Sequence, residues 1–371
     1  MFGRRGPDAT VRPVDGPRLL DRRRRRTLPF RVPAAAAVAV LIVLIYFGSN
    51  GLTNFDSALI GYAVGIVALT YAIVGRYARW LRMPATRRAW RRGWQMFGSW
   101  SSFRAIPGLF PRALLGQLVN QGFIRRRGWV RWIGHQCLFW GVLGATLITF
   151  PLVFGWLAFK LEHGTTETYR MFVFGIGTIT FDANSFLGWS IFHALNYTAV
   201  LVIIGCSIFL WRRFHDRGVM SAQRFGYDMV PLLMLVVISV TGGLLTVSAS
   251  LLEGSYYDFL VIIHMAAVVL SLVFIPYGKF FHVVQRPASV GMQMYAELNG
   301  REGRRPCARC GEPLATDAFV SDLQATLAEL GQDYRLAATH GATHLTELCP
   351  RCKRVGRAEG YFAASGKSFA P

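Results

Sequence analysis

The chain has 371 residues, 53% of them hydrophobic and only 16% charged, yet its formal net charge is +21. The basic residues are confined to segments between long uncharged stretches, the pattern of a multi-spanning membrane protein. That pattern accounts for most of the excess and argues against nucleic-acid binding. The first 31 residues are too basic, and the apolar stretch after them too long, for a cleaved signal peptide.

Residues 1–31 hold ten arginines, including Arg22 to Arg26, and read as a disordered arm. Six stretches free of Asp, Glu, Lys and Arg follow: Val32 to Phe55, Ser57 to Gly75, Trp132 to Phe159, Ala183 to Trp211, Met229 to Leu252 and Phe259 to Gly278. Each can cross about 30 Å of hydrocarbon, and an even number of crossings puts both termini on one side. Segment 76–131 carries thirteen arginines and no acid, and Arg212, Arg213, Arg217 and Arg224 follow the fourth stretch. The opposite loops hold Asp56, Lys160, Glu162, Glu167, Arg170, Asp182, Glu253 and Asp258, of which only two are basic. The arginine-rich segments are therefore expected on the cytoplasmic side of the cell membrane, with both termini. Trp80, Trp90, Trp94 and Trp100 among the arginines suit an interfacial segment. Pro107 and Pro111 should divide it into two short amphipathic helices on the inner leaflet. The expected fold is an all-α integral membrane helix bundle: a basic arm (1–31), a six-span domain (32–285) and a small cytoplasmic tail (286–371).

His264 and His282 stand eighteen residues apart on the last apolar segment. On one continuous helix that is five turns, about 27 Å, with both imidazoles on one face; Pro276, between them, can kink such a helix. Ionisable groups in a span are functional candidates. His135 begins the third span and should lie level with His282, while His193, early in the fourth, should lie level with His264. Two pairs at two depths match two bis-histidine b haems, each iron taking an imidazole from two facing helices. Arg131 and Arg127 stand where they could pair with propionates.

The run RRRGWVRWIGHQCLFW from Arg125 to Trp140, with HMAAVVLSLVFIPYGKFFH from His264 to His282, resembles the gamma subunit of respiratory nitrate reductase. It is also similar to the related dihaem membrane subunits of heterodisulfide reductase and of sulfite-reduction complexes. The resemblance covers about residues 57–285 and implies a five-helix cytochrome b plus one added N-terminal helix. It implies electron exchange between a quinol or quinone pool and a cytoplasmic iron–sulfur or molybdenum oxidoreductase subunit. It matches His264 and His282 to the ligand pair of the family's last helix and His135 to the first ligand of its second. The family's next ligand falls on Ala145 here, so His193 is expected to replace it. A quinone site would then lie beside the outer haem, with His163, Glu253, Tyr256 and Tyr257 as weak candidates in the outer loops.

The tail carries Cys307-Ala-Arg-Cys310-Gly and Cys349-Pro-Arg-Cys352, two CxxC knuckles that suit one four-thiolate metal site. Zinc is the first expectation, because a short tail with little apolar content gains folding energy from a structural metal. The knuckles also resemble rubredoxin, which would make the metal iron. Val320 to Leu330 reads as an amphipathic helix belonging to a small core, and His340 and His344 are not needed as ligands. Cys137 and Cys206 should be buried within spans. The alternative to an electron-transfer subunit is a haem-free transporter or scaffold whose zinc ribbon recruits a partner.

Overall fold

The computed structural model describes residues 30–98, 108–300, 303–332, 334–339 and 342–366. The arm before residue 30, Trp100, Pro107 and His340 lie outside the described residues. Helix α1 (Arg31–Gly48) is followed by α2 (Ile60–Trp80), whose entry is a 3-10 turn, Ser57–Leu59, where Asp56 accepts from the Ala58 N–H at 2.9 Å. Helices α3 (Pro84–Gly98), α4 (Leu109–Leu114) and α5 (Gly122–Arg125) precede α6 (Trp129–Val153). Pro111 falls in the first turn of α4, where its missing N–H costs nothing.

Strands β1 (Leu157–Leu161), β2 (Thr168–Val173) and β3 (Ile176–Asp182) come next. They form an antiparallel sheet in chain order, with Phe159 opposite Met171 and Tyr169 opposite Phe181. An all-α bundle was expected, and this sheet corrects it. Residues 157–182 are rich in β-branched and aromatic side chains, too charged for a span and punctuated by turns at Gly164 and Gly175, both at positive φ. Phe159, Phe181 and Phe192 pack together beneath the sheet at ring separations of 5.5 to 6.0 Å. The third span accordingly ends at Val153 rather than Phe159.

A short helix, α7 (Phe186–Phe192), precedes α8 (Ala194–His215), so the fourth span begins at Ala194 and not at Ala183. The chain continues through α9 (Arg217–Ala222), a π-turn at Phe225–Met229, α10 (Val230–Leu251), α11 (Tyr257–Phe274) and α12 (Phe281–Asn299). Helices α1, α2, α6, α8, α10 and α11 are the six that are long and apolar enough to cross a membrane. Many of their large side chains face outward, such as Phe47 at 72% and Leu251 at 74% exposure. Contiguous apolar surface of that extent calls for apolar surroundings. One end of these helices carries Arg76, Arg131, Arg212 and Lys279, and is called the arginine end; the other carries the sheet.

Neighbouring helices are held by small residues. A Cβ on Gly141 of α6 would lie 2.9 Å from the Thr198 carbonyl oxygen, and one on Gly205 of α8 would lie 2.8 Å from that of Gly134. The α6 and α8 backbones are therefore in contact, as small residues permit where no hydrophobic effect drives helices together. Cys206 is fully buried at the α8–α10 contact with Val202 and Leu232, while Cys137 is only half-buried. Gly61 and Gly65 of α2 face Met265 and Leu272 of α11, so these two run parallel.

The last span is not continuous. Helix α11 stops at Phe274 and α12 starts at Phe281, because Pro276 supplies no N–H and its ring opposes the carbonyl four residues earlier. The Gly278 N–H turns back to the Phe274 oxygen at 2.9 Å. Arg76 donates to the Pro276 carbonyl oxygen and lies 4.1 Å from the Phe281 ring centroid. His264 and His282 thus stand on different helices, and the single five-turn face expected of them does not form.

The described residues divide into two compact units, one of Phe30–Arg79 with Pro111–Ser289, the other of Trp80–Phe110 with Val290–Pro371. Residues 80–110, expected with the spans, belong with the tail. The reason is charge. Tail helix α13 (Asp317–Glu329), N-capped by Thr316, presents Asp322 to Arg92 at 3.0 Å and Glu329 to Arg88 at 3.2 Å, with Arg87 also on Glu329. Tyr295 adds a hydroxyl to Asp322 at 2.9 Å. This helix, expected to serve a small core, docks through its acidic face. Hairpin β4 (Arg335–Thr339) and β5 (Ala342–His344) and helix α14 (Pro350–Ala364) complete the tail.

Two outcomes follow from this packing. Gly205→Leu should separate α6 from α8 and lower stability by about 1–3 kcal/mol, read as an earlier thermal transition of the detergent-solubilised protein. Burial alone would raise the Asp322 pKa, but hydrogen bonds from Arg92 and Tyr295 hold it below the usual carboxylate range. Its contribution to docking is therefore present above the unfolded value and lost as pH falls through the lower folded one. Protease should cut between α12 and α13 faster near pH 3 than near pH 6, and Arg92→Ala should shrink that difference.

Candidate functional site

His135 lies two turns into α6 and His282 is the second residue of α12, both at the arginine end. They are close enough to interact electrostatically, with Arg286 acting on both. The Nδ1 of His135 is buried without a hydrogen-bond partner among the described residues, a state that costs about 1–3 kcal/mol unless a ligand or neighbour relieves it. The Nδ1 of His282 is 2.6 Å from the Lys279 carbonyl oxygen and so carries the proton, leaving a lone pair on Nε2. Burial holds the His282 imidazole below the ordinary histidine pKa, and the charges of Arg286 and Lys279 act in the same direction. The His282 ring is thus oriented by a backbone carbonyl, as metal-ligating imidazoles are.

Arg286 is the residue the sequence analysis missed here. It stands four residues beyond His282, one helical turn, and that spacing was the available signal. Its guanidinium lies 4.4 Å from the Phe123 ring centroid and feels the charge of Arg127. Two guanidinium groups beside two imidazoles suit a ligand that carries carboxylates.

The sheet-ward histidines are not brought together. His193 sits in the junction between α7 and α8, outside any span; its Nδ1 is 2.8 Å from the Trp189 oxygen and its ring stacks on Trp189 at 4.5 Å. His264 is held instead by α10, its Nδ1 2.9 Å from Thr241 Oγ1, and Tyr62 of α2 lies 6.4 Å away between ring centroids. The contact of Asn196 with Thr246, at 3.0 Å, gives the relative depth. Thr246 is five residues nearer the sheet than Thr241, and His193 three nearer than Asn196, so His193 stands roughly 12 Å further out than His264 at 1.5 Å per residue. Side chains on α8 and α11 both lean toward their N-termini, which are at the same end, so rotamers do not close that gap.

Of the weak quinone-site candidates, His163, Glu253 and Tyr256 are exposed at the sheet end. Tyr257 opens α11, is exposed as well, and interacts electrostatically with Tyr62. An apolar groove of about 470 Å³ lined by Val38, Val64, Tyr71, Val273 and Tyr277 has no histidine in its wall.

In the tail, the sulfurs of Cys307, Cys310, Cys349 and Cys352 lie within 4.8 Å of one another and could hold a metal ion. Cys310 and Cys349 are 3.7 Å apart, against about 3.8 Å for the edge of a tetrahedron with 2.3 Å metal–sulfur bonds. Gly311, at φ +75, lets the first knuckle turn, its N–H reaching the Cys307 oxygen at 2.9 Å. The second knuckle uses Pro350 as the first residue of α14. The Cys349 N–H donates to Cys307 Sγ at 3.2 Å. Burial would raise the Cys307 pKa, but N–H donors from Cys349, Cys310 and Arg309 bring it down to about 6. His344 is not among the four: its Nδ1 accepts from Thr346 and caps the turn before the second knuckle.

No protein family, curated protein or solved structure matches the chain in comparisons of all three kinds. The cysteine cluster yields a direct expectation. The purified chain should carry about one metal ion, held by all four thiolates. Elemental analysis of Cys349→Ser should show it lost, with faster proteolysis of the tail.

Proposed function

We propose that this chain is a membrane electron-transfer subunit that connects a quinol or quinone pool with a cytoplasmic redox partner. One observation supports the reading: His135 of α6 and His282 of α12 are close enough to interact electrostatically, with the His135 Nδ1 buried without a partner among the described residues and the His282 Nδ1 on the Lys279 carbonyl. These two imidazoles would be the axial ligands of a b haem, with Arg286 and Arg127 against its propionates. When bound, the haem supplies one-electron redox chemistry, its potential set by axial ligands, burial and nearby charge. The residues of this chain hold it and exclude water. The basic segments at the arginine end support a cytoplasmic placement of that end at the cell membrane.

The second haem expected from the sequence does not fit. An iron needs its two axial nitrogens at one level, and His193 stands too far toward the sheet to face His264. The arginine-end pair remains consistent with the resemblance to the nitrate reductase gamma subunit and its dihaem relatives. The tail would use its four cysteines to hold zinc, or iron as in rubredoxin, and would dock an iron–sulfur or molybdenum oxidoreductase subunit.

The reading is tested by dithionite-reduced minus oxidised spectra of the purified protein. A b-type Soret and α-band should be present and should disappear in both His135→Ala and His282→Ala. A wild-type chain without a Soret band would overturn the proposal in favour of a transporter or scaffold.

A further inference from the structure

We infer that the apolar groove between α1, α2 and α11 binds one anionic phospholipid, an acyl chain lying in the groove and the headgroup phosphate held by Arg31 and Arg79. The inference needs only the membrane setting and stands apart from the electron-transfer reading. It begins from helical period. The groove, about 470 Å³, takes Val64, Ala68, Tyr71 and Ala72 from α2, Val38 from α1 and Tyr277 from the chain after α11. That volume lies within the range of about 300–1,000 Å³ for small-ligand sites. Arg79 stands seven residues after Ala72 on α2, and Arg31 seven before Val38 on α1. Seven residues make two helical turns to within about 20°, so both arginine positions continue the faces that line the groove, about 10 Å beyond its end. Helix α1 leaves the arginine end and α2 returns to it, so both lie beyond the same end.

One ring brings the two arginines together. Phe30 packs over Gly75 of α2, where a Cβ would lie 3.5 Å from its Cδ2 and 3.8 Å from the Ala34 Cβ. Arg79 lies 4.7 Å from the Phe30 ring centroid and Arg31 lies 6.0 Å from it. Two guanidinium groups drawn to one ring repel each other unless an anion lies between them. Arg212 and Arg213, at the same end, have Asp216 and Asp228 for this purpose, and Arg76 is taken by the Pro276 carbonyl. Arg31 and Arg79 form no ion pair among the described residues. A phosphodiester supplies both the missing charge and acceptor oxygens for guanidinium N–H groups. A zwitterionic headgroup would bring its own cation to the pair, so the anionic lipid is the better match. Tyr71 and Tyr277, 40% and 65% exposed, offer phenols to the ester oxygens between headgroup and chain. Basic positions between spans above an apolar groove are the parts from which anionic headgroup sites are built. A second copy of the chain related by a two-fold axis would cover the groove but add its own Arg31 and Arg79 at that end, raising the repulsion.

The test measures the lipid held by the full chain in detergent. Phospholipid is quantified per chain by mass spectrometry in wild type, the double variant Arg31→Gln with Arg79→Gln, Ala68→Trp and Arg126→Gln. Ala68 is exposed within the groove, and Arg126 is an exposed arginine outside its walls. Each sample is then titrated with phosphatidylglycerol or phosphatidylcholine while its thermal transition is followed. About one anionic phospholipid per chain is expected in wild type and Arg126→Gln, and about tenfold less in the double variant and Ala68→Trp. Phosphatidylglycerol should raise the thermal transition where phosphatidylcholine does not, and those two variants should lose the rise. Absence of phosphatidylglycerol binding to wild type, retained or added, would overturn the inference. So would equal retention in all four proteins, equal preference for phosphatidylcholine, or a loss in Arg126→Gln as large as in the double variant, which would show an effect of net charge alone. A lipid-free dimer that Ala68→Trp dissociates would give the groove to a second copy and overturn it as well. If the double variant or Ala68→Trp does not fold, Arg79→Gln decides: undiminished retention overturns the inference.

Discussion

The contact on which the functional arrangement depends is the one between Arg76 and the carbonyl of Pro276. The Pro276 carbonyl lies beyond the end of α11, outside a helical repeat, and a backbone oxygen left unpaired among apolar groups costs about 1–3 kcal/mol. A guanidinium from α2 answers it and also covers the Phe281 ring, so the interruption becomes a fixed joint. Lys279 pins its other side, 2.7 Å from Asp228, which Arg213 also approaches. His282 lies at the start of the helix after the joint, with Arg286 one turn further on. His264 stays on the preceding helix, where Thr241 orients it.

Local satisfaction separates the histidines by role. His193 and His215 each bond the carbonyl four residues back and stack on the tryptophan there, Trp189 and Trp211. Those interactions lie within one helix turn and need no second element. His264 instead bonds Thr241 of another helix, and His282, although its Nδ1 sits on the Lys279 carbonyl three residues back, also interacts electrostatically with His135.

The second unit obeys a different physics. Its apolar content is low, and it is assembled by charge and by sulfur. Arginines of α3, which by composition suit a lipid interface, find acids on α13, and the four thiols converge from two knuckles joined through the Cys349 N–H. Arg309 extends this network to Glu359 on α14 at 2.7 Å. A metal at the thiols would therefore stabilise the same unit that presents the basic helix.

By itself the sequence determined the six apolar helices, the two CxxC knuckles and the tail helix near Val320. Each of these follows from local composition or from period, which a chain carries wherever it folds. It did not determine the sheet of residues 157–182, because alternation there is interrupted by charge and glycine and is stabilised by Phe192 from outside. Nor did it determine the depth of His193, which depends on where α8 begins, or what meets the Pro276 carbonyl at the break, which is Arg76 from two hundred residues away. The docking of α3 on α13 was hidden for the same reason. Partners far apart in the chain are chosen by three-dimensional complementarity of charge and backbone, and only the tertiary structure decides which of the possible ones meet.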